Sequence, residues 1–103
     1  MMIEETKQLI DIVSKVSGES VEAIMSGRRR RPLPACRWLV GRELMRRGFS
    51  SEFSSRQIGV THASLLHGKQ MLELMAEHPR NGYAEEMMIE RLFCSALEDS
   101  KMV

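Results

Sequence analysis

A chain of 103 residues with a formal net charge of +1 is long enough for one modest core and too short for two. No apolar run approaches the ~20 residues of a membrane span, and the start "MMIEETKQLIDIV" carries acids where a secretory signal would carry bases. Cys36 and Cys94 lie far apart with no Cys-x-x-Cys spacing, which fits free thiols in a reducing cytoplasm.

From Ile3 to Val16 the residues Leu9, Ile10, Ile12, Val13 and Val16 recur at helical spacing, and Gly18 ends the pattern. Ser20 suits an N-cap for a short second helix through Val21, Ile24 and Met25, closed by Gly27. "RRRRPLP" then reads as a basic loop, because Pro32 and Pro34 each favour an extended residue ahead of them. A third helix is expected from near Pro34 to Gly48, with Arg37, Arg42, Arg46 and Arg47 on its outer face. Ser50 or Ser51 caps a short fourth helix ending near Ile58, and Gly59 makes the joint. Thr61 caps a fifth helix reaching His78, where Pro79 ends it in the turn signal "PRNG". A sixth helix carries Tyr83, Ala84, Met87, Met88, Leu92, Ala96 and Leu97 on one stripe. Few aromatics and plentiful Met, Leu and Ile suit helices, and no strand alternation interrupts them. The expectation is an all-α fold, a bundle of about six helices in one domain over residues 1–103.

The modest net charge hides a division along the chain. Residues 1–27 carry −3, residues 28–70 carry +8 and residues 71–103 carry −4. Ten bases against two acids in the central segment point to a polyanionic partner. For any single arginine a solvated face remains the simpler reading.

The stretch "IGVTHASLLHGKQ", residues 58–70, is the richest in chemistry. His62 and His67 are five apart, so on a helix they point about 140° away from each other and do not chelate one ion easily. No cysteine or pair of acids stands in a recognisable catalytic frame. "HGKQ" fails as a phosphate loop, because Ala63 and Gln70 occupy positions that need Gly and Ser or Thr. No cofactor or metal is expected, and an enzyme is the weakest reading. On a helix opening at Thr61 the inner stripe is Leu65, Gly68, Leu72, Met75 and Ala76, with Gly68 allowing another backbone to approach. Ala63, His67, Gln70 and Leu74 face away, and His62 and Ser64 flank the first turn. A surface role for these histidines is the plain alternative to recognition, about even for His67. A short helix, a glycine joint and a longer helix also match a helix-turn-helix, whose second helix reads the major groove.

"SVEAIMSGRRRR" followed by "THASLLHG" resembles the C-terminal DNA-binding domain of the bacterial chromosomal replication initiator DnaA, a Trp-repressor-like fold. The likeness covers residues 13–76, with residues 83–99 as an added helix, and is strongest at His62, Ser64, Leu66 and His67. It implies a replication-type, sequence-preferring reader of double-stranded DNA that lacks the initiator's ATPase. One of Arg28, Arg29, Arg30 and Arg31 would enter the minor groove. Thr61, His62, Ala63 and Ser64 would face the bases, with His67, Lys69, Arg37 and Arg56 nearby. Val60, Thr61 and Ala63 stand where that family has Arg, Asp and Thr, so an anionic acceptor for a cytosine amino group is missing. Those changes favour the competing expectation, an adaptor that kept the fold and holds a protein partner. The added sixth helix is expected to cover apolar surface of the bundle; alternatively, its broad apolar patch of Met87, Met88, Leu92 and Phe93 pairs two copies or holds that partner.

Overall fold

Six helices, with no strand among the described residues, make up the computed structural model, which describes residues 1–78 and 82–101. In chain order they are α1 (Glu4–Ser17), α2 (Val21–Met25), α3 (Leu33–Arg46), α4 (Ser51–Gln57), α5 (His62–Glu77) and α6 (Ala84–Lys101). The starts of α2, α4 and α5 follow from short hydroxyl side chains. Ser20, Ser50 and Thr61 each accept a hydrogen bond from the backbone N–H three residues on, satisfying a donor the helix leaves unpaired. Gly18 ends α1 with φ 77°, a left-handed conformation that costs glycine nothing. The expected turn around Pro79 lies largely outside the described residues.

The hub of the fold is α3, against which α1, α2, α4, α5 and α6 all pack. Leu33, Cys36, Leu39, Val40 and Leu44 of α3 join Leu9, Ile10 and Val13 of α1, Ile24 of α2 and Leu65, Leu72 and Met75 of α5 in one continuous core. Ile89, Phe93 and Leu97 bring α6 into the same core. A radius of gyration of 12.6 Å matches that of a folded body of this length. No helix is long and apolar enough to cross a membrane, among the described residues.

Where α3 and α5 cross, two glycines take the contact. A Cβ at Gly41 would meet the Leu65 and Ile58 side chains, and one at Gly68 would run into the Trp38 indole. Gly68 therefore admits an aromatic ring, where a second backbone was expected. Gln57 at the end of α4 ties down the start of α1. Its Oε1 accepts from the Ile3 N–H at 2.9 Å and from Thr6 Oγ1 at 2.7 Å, and its Nε2 donates to the Met1 carbonyl.

Two expectations about helix faces are corrected. On α6 the buried stripe is Glu86, Ile89, Phe93 and Leu97, whereas Met88 and Leu92 are 56% and 44% exposed. Phe93 thus belongs to the core and not to the expected surface patch. On α5, Leu65, Gly68, Leu72 and Met75 are buried as expected, but Ala76 is exposed.

Candidate nucleic-acid interface

Ten bases crowd residues 28–70, and the fold commits half of them to internal work. Arg37 is only 5% exposed. Its Nη1 donates to the Ile24 carbonyl at 2.8 Å and its Nη2 to the Arg28 carbonyl at 2.6 Å. Burial pushes its pKa below the ordinary value. Arg37 is thus a bracket for the end of α2 and the root of the loop, and its expected place among the DNA-binding residues is withdrawn. Arg42, also expected on the outer face, is buried and paired with Glu90 of α6. Arg47 pairs with Glu43 at 3.0 Å and Glu5 at 3.2 Å.

Two of the loop arginines are likewise engaged. Arg30 bonds Glu19 at 2.7 Å, and this contact holds the Glu19 carboxyl below its ordinary pKa. Arg31 donates to both carboxylate oxygens of Glu86, at 2.6 and 2.8 Å, and to the Gly82 carbonyl. Its guanidinium also lies 5.0 Å from the centre of the Tyr83 ring, a favourable cation–π geometry. The bidentate bond from Arg31 is the main reason the Glu86 pKa falls. Arg28, Arg29, Arg46, Arg56 and Lys69 are exposed, and none has a side-chain ion pair among the described residues.

Of these five, Arg29 and Arg56 border the start of α5, while Arg46 and Lys69 line a groove further along it. The joint from α4 runs through Ile58, Gly59 and Val60, with Gly59 at φ 70° and the Val60 N–H bonded to the Ser55 carbonyl. Thr61 spends its hydroxyl on the cap, accepting from the Ser64 N–H at 3.1 Å. His62 is exposed, and its Nε2 lies 2.6 Å from Ser51 Oγ at the start of α4. Ala63, Leu66, His67, Gln70 and Leu74 form one exposed face of α5. His67 sits edge-on to Trp38, ring centroids 6.1 Å apart, so packing limits its orientation even though it is exposed.

On one flank of the first turn, Gly27, Arg29, Gly59, Val60, Thr61 and Ser64 border a concavity of about 250 Å³, with Arg37 at its wall. On the other, Glu52, Ser55, Arg56, Val60, Thr61 and His62 border one of about 370 Å³. Ser64 and His62 are two residues apart on a helix, which separates them by about 160°, so the two hollows lie on opposite sides of α5. Arg29 of the loop and the capped start of α5 therefore border one hollow, to which no described residue of α6 contributes.

Ser51, Leu66 and Gln70 belong to this surface by position but were not among the anticipated site residues. The helical periodicity of α5 already carried Gln70, and the family resemblance named Leu66. Nothing local signalled the bond from Ser51 to His62, eleven residues away. Both cysteines are free, and burial pushes the Cys36 thiol up to about 11, which keeps it protonated at neutral pH. Among the described residues no three metal-ligating side chains gather.

No protein-family profile matches the chain, and neither a curated protein nor a solved structure does.

Proposed function

We propose that the chain is a double-stranded-DNA-binding protein in which α4 and α5 act as a helix-turn-helix. The exposed face of α5 enters the major groove, while Arg28 and Arg29 reach the adjacent backbone or minor groove. The observation that carries this reading is the placement of unpaired cations on both flanks of α5, around exposed His62, Ala63, Leu66 and His67. Phosphate strands border the major groove on either side of an inserted helix. Small Ala63 allows close approach, Leu66 suits a thymine methyl, and His62 offers a ring nitrogen to a base edge. Thr61, engaged as a cap, contributes backbone positioning more than base reading.

Selection from a random duplex pool tests this directly. The expected result is a recurrent motif whose binding is weakened more by His62→Ala and Ser64→Ala than is binding to random DNA. Failure to enrich any motif would reject base reading by α5.

The exposed Met88 and Leu92 on α6 support a second reading, an adaptor holding a protein partner. Capture of a partner that survives nuclease and is lost in a Met88→Ala, Leu92→Ala variant, with no motif from selection, would favour it.

A further inference from the structure

Beyond the start of α5, a groove of about 330 Å³ runs between α3 and α5, bordered by Arg42, Met45, Arg46, Lys69 and Glu73. Arg42 is neutralised by Glu90, so the available charge comes from exposed Arg46 and Lys69, opposed by Glu73. Lys69 follows His62 by seven residues, which places it about 10 Å further along α5 and within about 20° of the same flank. Arg56 borders the hollow beside His62 on that flank. Arg56, Lys69 and Arg46 therefore form a track along one side of α5, while Arg29 stands on the other side.

We propose that this groove is a phosphate-backbone site for the second DNA strand, with Arg46 and Lys69 as its ligands and Glu73 marking where the strand leaves. The inference rests on the DNA-binding reading above and assigns the two strands to opposite flanks of α5. One strand runs past Arg28 and Arg29, the other past Arg56, Lys69 and Arg46. Met45 gives the groove an apolar wall against which a sugar packs. An acidic peptide would also meet two cations here, but the continuity of the track with the start of α5 favours the strand.

The test is a salt titration of the full chain on a labelled random-sequence duplex, followed by anisotropy. Five unpaired cations predict a fall of log K against log salt with a slope of about 4.5 in magnitude. Arg46→Gln with Lys69→Gln should lower that slope by about 1.8, at about 0.9 for each lost phosphate contact. Glu73→Gln should tighten binding a few-fold. An unchanged slope in the Arg46, Lys69 variant, with a lowered slope in an Arg28→Gln, Arg29→Gln variant, would overturn the groove and leave the DNA reading standing. Absence of duplex binding by the wild-type chain would overturn both. Loss of binding to a polyglutamate peptide, with duplex binding intact, would assign the groove to an acidic protein partner instead.

Discussion

Arg37 and Arg28 are joined by a 2.6 Å hydrogen bond from the buried guanidinium of one to the backbone carbonyl of the other. A buried cation thereby sets the path of the loop that presents Arg28 and Arg29, the two loop arginines without an ion pair among the described residues. Its second bond, to the Ile24 carbonyl, anchors the same bracket to the end of α2. Arg37→Lys retains the charge but not the fork that spans two carbonyls. A loss of about 2 kcal/mol is expected, since hydrogen bonds to charged groups contribute ~1.5–3 kcal/mol each. Urea midpoints check the stability. Duplex affinity should also fall, although Arg37 itself is shielded from solvent; equal affinity in the variant would show that the loop's path does not matter.

Gly68 sits in the interior of α5, where alanine would gain about 1 kcal/mol of helix propensity. The Trp38 ring decides the sign the other way, because a Cβ would collide with it. Gly68→Ala should destabilise by ~1–3 kcal/mol, the usual range for overpacking. Trp38→Leu in the same chain should recover part of that loss. Thermal melts of the two variants provide the comparison, and a stabilised single variant would contradict the close contact.

Glu86 is held below its ordinary carboxyl pKa of 4.5 by Arg31. A carboxyl with a depressed folded pKa stabilises the fold above its unfolded value, and that stabilisation is lost as pH falls through the folded value. The stability gap between wild type and Glu86→Gln should be fully present at neutral pH and close as acid protonates Glu86. A gap that persists unchanged in acid would mean the carboxylate is not what stabilises. The same variant releases Arg31, so the salt slope of duplex binding should steepen by up to about 0.9.

Ser51 and His62 form a polar link between the starts of α4 and α5. Ser51→Ala removes the oxygen that orients the imidazole and leaves every exposed cation in place. Preference for a selected motif over random DNA should drop, while affinity for random DNA stays within about twofold, since phosphate contacts carry non-specific binding. Competition titrations give both numbers. An equal loss on both DNAs would place His62 on the backbone.

The limits of helices were legible in the sequence wherever a local signal set them. Ser20, Ser50 and Thr61 cap, and Gly18 and Gly59 terminate, because each acts on backbone within a few residues. Faces were harder to read. Most of α3 is buried, so a helical wheel has no outer face on which to put Arg37 and Arg42. Their partners, Ile24, Arg28 and Glu90, lie up to dozens of residues away. On α6, Met88 and Leu92 compete with Ile89 and Phe93 as the inner stripe, one residue out of register and equally apolar. Tertiary packing chose the latter, with Glu86 buried because Arg31 comes to meet it. The charge division signalled a basic middle but not which bases the acidic ends would occupy. Arg30, Arg31, Arg42 and Arg47 all find acids from outside residues 28–70.

The most direct measurement is a resonance-by-resonance titration of the isotope-labelled chain with a duplex at low salt. The largest shifts are expected from Thr61 to His67 and at Arg28 and Arg29, with the outer face of α6 around Met88 and Leu92 unmoved. Shifts confined to α6, or no shifts at all, would contradict DNA recognition by α5.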